Sequence, residues 1–346
     1  MRTMLCAIAL AATAAHAQET TLKVGDAAPP LSIAKWVKGD PVTIEQGKTY
    51  VVEFWATWCG PCVAGMPHLS ELQERYKDKV TFVGVTSEDK LNTLEAVQKM
   101  VESKGPGMGY TVAWDDAGKT NDAYMRAARQ NGIPCSFVVD GSGKVAYIGH
   151  PATLDVVLAR VAAGKWDAEK GPAELGQLYQ RINEIFQMDG AMAAPALATF
   201  EKEHPELAPT LEEPKFHLML RLGKTEEVSA IGAKIVEKAV KYNSPEKLNE
   251  IAWTIVDPEQ EIKSRDVDLA MRAAEKAVEL TKGEEGAILD TLARCYHWKG
   301  DLEKAIEIQT KAVEKAADDP EMLGDLQRTL DSYKAEAAEA AGKKPE

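Results

Sequence analysis

The chain has few cysteines, no dense basic cluster, and no long apolar run beyond its first residues. Each scarcity removes a class of function. Asp and Glu outnumber Lys and Arg by 54 to 41, a net charge of −13. A polyanion would be repelled without a basic patch, which argues against nucleic acid and anionic membrane surfaces as partners. After the N-terminus no stretch approaches the roughly eighteen uninterrupted apolar residues of a membrane span. Five cysteines in 346 residues are too few for a scaffold stapled by disulfides. No second Cys-x-x-Cys and no His-x-x-x-His is present, and His68, His150, His204, His217 and His297 are scattered far from one another. A structural zinc site is therefore not expected, and no other metal or cofactor is implied.

What is present is 45% hydrophobic and 27% charged residues, enough to build real cores over more than one domain. The first residues stand apart. Arg2 gives a minimal positive region, residues 5–15 form a short apolar run, and Ala15-His16-Ala17 fits the small-x-small cleavage rule. The expectation is a signal peptide over 1–17, a mature chain from about Gln18, and a periplasmic or secreted location. Cys6 lies within that leader and follows no small-residue lipobox, so no lipid anchor is expected.

Residues 18–166 read as one domain and 171–346 as another. In the first, Tyr50-Val51-Val52-Glu53-Phe54-Trp55 and residues 80–86 have the character of buried strands. Helical patterns follow over 63–76, 91–103 and 120–130, with a short strand at 110–114. Asp140-Gly141-Ser142-Gly143 joins strands at 136–139 and 145–148, and a helix closes at 153–161. A parallel start with an antiparallel finish predicts an α/β mixed sheet with helices on both faces. From 171 onward strand signals vanish. Residues 287–320 give two helices joined at Gly300-Asp301, with Ala293, Ala305 and Ala312 allowing close approach and Leu289, Leu292 and Tyr296 filling the seam. This layout resembles a tetratricopeptide repeat, with a weaker copy from Leu248 to Ala277 and a terminal helix over 322–340. An irregular helical bundle is the other reading.

The chemistry sits in Cys59-Gly60-Pro61-Cys62. Disulfide exchange needs one stabilised thiolate and a second cysteine near enough to displace the mixed disulfide. Placing Cys59 where a strand gives way to a helix meets the first need, because unpaired helix N–H groups favour an anion. Cys62 then lies one turn on, Pro61 suits the first turn, and Gly60 permits close approach.

With Met66-Pro67 and Leu69 following, residues 52–62 resemble the exported TlpA/ResA group of thioredoxin-like oxidoreductases. Val24-Gly25-Asp26-Ala27-Ala28-Pro29 is similar to the entry segment of redoxins, and Asn131-Gly132-Ile133-Pro134 to the family's cis-proline loop. The resemblance covers about residues 24–166. It implies Cys59 as the attacking nucleophile, Cys62 as the resolving and more buried thiol, and a cis Pro134 facing them. The Ile133 backbone would then offer an edge to an extended substrate. Trp58 would shield the disulfide or serve as a core aromatic. Glu53 would accept the Cys62 proton, or else snorkel to a sheet edge. Cys135 follows the proline where relatives usually have threonine, and is either a third redox thiol or a small buried hydrophobe. Cys295 fits a core position in the helical repeat.

The function expected is thiol–disulfide exchange with protein substrates, in the reducing direction, since Gly-Pro between the cysteines belongs to members such as thioredoxin at about −270 mV. An external electron donor is then required, and the helical domain would bind a protein partner. A thiol peroxidase is the alternative, but Trp55-Ala56-Thr57-Trp58 lacks the Pro-x-x-x-Thr/Ser-x-x-Cys setting that chemistry needs. A protein-binding scaffold with a redox module is the third reading.

Overall fold

The computed structural model describes residues 21–262 and 265–342; the leader expected over 1–17 lies outside them. The first half runs β1 (Ile33–Lys38), β2 (Thr49–Phe54), α1 (Gly60–Arg75), β3 (Val80–Thr86), α2 (Leu94–Lys104), β4 (Thr111–Asp115), α3 (Lys119–Asn121), β5 (Cys135–Val139), β6 (Val145–Gly149) and α4 (Leu154–Ala162). Its strands make one six-stranded sheet in the order β1-β4-β3-β2-β5-β6. Strands β2, β3 and β4 run parallel, while β5 and β6 return antiparallel. This is the mixed sheet that the sequence predicts.

β2 is central because it is apolar on both faces. Val51 joins Leu69 and Leu72 of α1 on one side. Val52 and Phe54 join Phe137 and Tyr124 on the other, where Phe54 and Tyr124 meet the Phe137 ring edge-on at 5.6 and 5.2 Å. Each such fully buried side chain stabilises the fold by about 1.5–3 kcal/mol.

Three elements differ from expectation. β1 adds an antiparallel edge to β4 with two register shifts, unforeseen because Lys35 and Lys38, three residues apart, break the two-residue period of a strand. α2 starts at Leu94, after Thr93 caps it, because the Asp89 carboxylate accepts the Leu91 and Asn92 N–H groups and holds 89–92 in a turn. The helix expected over 120–130 is α3 followed by a π-helical turn at Asp122–Arg126. That widening buries the consecutive Tyr124 and Met125, and the Tyr124 hydroxyl donates to Pro29 O at 2.6 Å.

The second half is all helical: α5 (Gly171–Gln187), α6 (Gly190–Glu203), α7 (Ala208–Leu222), α8 (Thr225–Lys241), α9 (Pro245–Val256), α10 (Val267–Thr281), α11 (Gly286–Trp298), α12 (Leu302–Lys315) and α13 (Pro320–Gly342). Gly223, at φ 70°, ends α7 in the left-handed conformation that glycine adopts without cost. Among the described residues no helix is long and apolar enough to cross a membrane.

One apolar cluster runs from Val51 and Met66 through Leu154 and Leu175 to Ile251 and Leu292, so the halves share a core. At the junction, the Tyr242 hydroxyl and Lys241 reach Glu74 of α1, each at 2.7 Å. Asn243 Nδ2 donates to Ser103 O and Lys104 O at 3.0 and 3.2 Å. The exposed Lys241–Glu74 pair contributes little in water, so backbone fit matters more. A Cβ on Gly107 would lie 2.6 Å from Tyr242 O. Gly107→Ala is therefore expected to cost about 1–3 kcal/mol, whereas Gly65→Ala, whose Cβ meets nothing within 4 Å, should stabilise α1 by about 0.5–1 kcal/mol. Urea midpoints of the full chain check both. A Gly107→Ala chain as stable as the parent would show that this junction is not close-packed.

Candidate active site

Strand β2 ends at Phe54 and the chain passes through Trp55–Trp58 to Cys59, which caps α1. Cys59 Sγ accepts the Cys62 N–H at 3.2 Å, so it sits among the unpaired donors of the helix start. Gly60 and Pro61 fill the first turn and are exposed. Cys59 and Cys62 are joined as a disulfide with Cα atoms 5.2 Å apart, while Cys135 and Cys295 are free and buried. The two bonded cysteines are almost equally buried, at 5% and 4% exposure. The difference expected between them is absent, because both belong to one apolar cluster that Ile133 also covers.

Register explains how the proline loop reaches them. Phe54 pairs with Cys135 across β2 and β5, so Pro134 lies just past the end of β2, where the chain turns toward Cys59. The Ile133–Pro134 bond is cis. Ile133, Ala56 and Trp58 line a shared depression of about 380 Å³. Trp58 is 53% exposed, which rules out a core role. Its Nε1 donates to Asp89 Oδ2 at 2.8 Å, fixing the ring beside the motif.

Glu53 pairs with Gly84 on β3 and Ser136 on β5, in the middle of the sheet. It is 3% exposed, so no sheet edge is available for it to reach. Its alternation matches Val51 and Trp55, which places it on the sheet face that carries α1 and Cys62. Burial pushes its carboxyl up to about 8, although the Ser136 hydroxyl donates to it and works the other way. A Cβ on Gly84 would meet Tyr110 Cε2 at 2.9 Å and Trp55 Nε1 at 3.1 Å, so the missing side chain is what lets these rings pack against the strand position opposite Glu53. Cys135 instead packs with Val52 and Phe54 on the opposite face. Burial, aided by the Glu53 charge, pushes its thiol up to about 12. That environment fits the small buried hydrophobe. Cys295, fully buried in the helical core, has its thiol pushed up to about 12 mainly by burial.

Sequence reasoning missed the support beneath the motif. Asn92, fully buried, accepts the Thr57 N–H at 2.8 Å and donates to Thr86 Oγ1 at 2.8 Å and Ser87 O at 2.6 Å. Thr86 in turn donates to Trp55 O at 2.7 Å. One amide thus ties the loop before Cys59 to the end of β3. Nothing in the sequence around Asn92 signals this. Asn92→Ala strands several buried groups at about 1–3 kcal/mol each, and a melting temperature equal to the parent's would refute the role.

A redoxin family model matches residues 23–156. Protein FixW of Rhizobium leguminosarum is 30% identical over 172 residues, covering 47% of this chain and 78% of FixW. The thiol-disulfide oxidoreductase ResA of Oceanobacillus iheyensis is 30% identical over 139 residues, covering 38% and 68% of the two chains. The thioredoxin-like protein YneN of Bacillus subtilis is 38% identical over 141 residues, covering 40% and 76%. Taken with the disulfide at the helix start, these matches establish the chain as a member of the redoxin family, a ResA-like thiol–disulfide oxidoreductase on a thioredoxin fold.

Proposed function

We propose that the protein reduces disulfides of protein substrates outside the cytoplasm, with residues 1–17 as a cleaved leader. Residues 18–166 would act as the redox domain and 171–346 as a tetratricopeptide-like domain that binds a protein partner. The observation that carries this reading is Cys59 at the α1 N-cap, taking the Cys62 N–H, with exposed Gly60, Pro61 and Trp58 around it. Those exposed neighbours leave room for a polypeptide, and a Cβ on Gly60 would meet nothing within 4 Å.

In the reaction, the Cys59 thiolate attacks a substrate sulfur; the substrate disulfide breaks and one substrate thiolate leaves. Cys62 gives its proton to Glu53 and attacks Cys59 Sγ. The mixed disulfide breaks, the second substrate thiolate leaves, and Cys59–Cys62 is oxidised as the substrate gains two electrons. A dithiol donor then restores the reduced pair. Ile133, before the cis-proline, would present backbone to the substrate strand.

The test is a redox titration of Cys59–Cys62 in dithiothreitol buffers, read by alkylation and mass spectrometry. A potential near that of thioredoxin, about −270 mV, supports a reductant. One near that of the oxidant DsbA, about −120 mV, overturns it.

A further inference from the structure

The exposed face of α1 does not end at the disulfide. Gly60 and Pro61 are exposed, and Ala64, Pro67 and His68 continue the same face at helical spacing. That face becomes the floor of a groove of about 380 Å³ between the two halves. Ala152 lies on one side of it, with Pro214 of α7 and Ile235 and Ala239 of α8 on the other.

The charged side chains of the groove satisfy one another. Lys238 pairs with Glu212 at 2.7 Å and Glu71 at 3.3 Å, and Lys247 with Glu213. Arg75 and His68 each contact Asp155 at 2.6 Å. Ionic groups already paired offer no net attraction to a charged ligand, and displacing them would leave partners unpaired. The groove therefore suits an uncharged, apolar, extended segment.

We propose that this groove holds the polypeptide flanking the substrate cysteine, so that α7 and α8 help select which disulfides reach Cys59. The inference rests on the reading of Cys59 as the attacking thiol. Reach supports it. From Cys59 to Pro67 is about 12 Å along the helix, which an extended chain spans in about four residues. A substrate bonded to Cys59 thus brings its fourth neighbour into the groove.

The experiment uses the full chain carrying Cys62→Ser, or Cys62→Ala if the serine variant misfolds, after reduction. It is mixed with peptides whose single cysteine is activated as the thionitrobenzoate disulfide. Cys59 attacks the peptide sulfur, thionitrobenzoate leaves, and the peptide stays bonded to Cys59. Each peptide has uncharged apolar flanks and a benzoylphenylalanine four residues before or after its cysteine. Illumination and peptide mapping should place cross-links from one of the two peptides in 209–214 or 235–247. A mixed disulfide that forms while cross-links stay within 21–162 overturns the groove and leaves the redox reading standing. Absence of the mixed disulfide overturns the reading of Cys59, and the inference with it.

Discussion

Cys59→Ser is expected to abolish turnover of a protein disulfide, lowering kcat/KM by a factor on the order of 10³ or more, because an alcohol at this position neither ionises nor attacks sulfur. Cys62→Ser should be just as inactive over repeated turnovers for a different reason. It retains the attacking thiolate of Cys59 but lacks the group that releases the substrate, so it accumulates a stable mixed disulfide. The pair of variants matters because exposure does not distinguish the two cysteines, at 5% and 4%. What distinguishes them is the backbone: Cys59 sits at the cap and takes a helix N–H, while Cys62 lies within the first turn. Non-reducing gels of each variant with an activated peptide decide the matter. Trapping on Cys62 in the Cys59→Ser chain, and none on Cys59, would reverse the assignment.

Glu53→Gln should have two separable effects. The first is on stability. Burial lifts the folded-state pKa from the ordinary value of 4.5 to about 8. Between those values the folded protein holds a proton that the unfolded chain has lost. The stability from this group is therefore complete below about pH 4.5 and is lost as pH rises toward 8. Over that window the loss reaches up to about 5 kcal/mol. Glutamine stays neutral throughout, so the variant should lack this slope and gain on the parent with rising pH. The second effect is kinetic. Without a carboxylate to take the Cys62 proton, resolution of the mixed disulfide should slow by on the order of 10²-fold, and any inflection near pH 8 should vanish. Stopped-flow release of a labelled substrate measures the rate. An unchanged rate would end the proton-transfer role while leaving the stability effect intact.

Local signals carried much of this in advance. β2 and β3 were legible because each is a short, continuous apolar run, and α1 because its buried Met66, Leu69 and Leu72 recur at helical spacing. Gly300-Asp301 marks the turn between α11 and α12 plainly. Long-range pairing stayed hidden. Ser136 matters only because register sets it opposite Glu53, 83 positions away. Asn92 matters only because the turn at Asp89 aims it beneath Thr57. The cis bond at Pro134 came from family resemblance, not from any local property of Ile133-Pro134. The region of α5 to α8, residues 174–242, resisted a repeat register, and prolines inside α6 and α7, at Pro195 and Pro214, interrupt the helical pattern in part of it.

The shared core has a consequence for how such a chain can change over time. Modules strung on a loose linker can be exchanged by recombination, each bringing its own finished surface. Here α1 of the redox half gives Glu71 and Glu74 to α8 and the residue after it, and Gly107 leaves room for the Tyr242 carbonyl. A helical region borrowed from elsewhere would arrive without those matches, exposing apolar surface on the helix that starts with the reactive sulfurs. A substitution in α8 at Lys238 or Lys241 therefore reaches α1 directly, through Glu71 and Glu74.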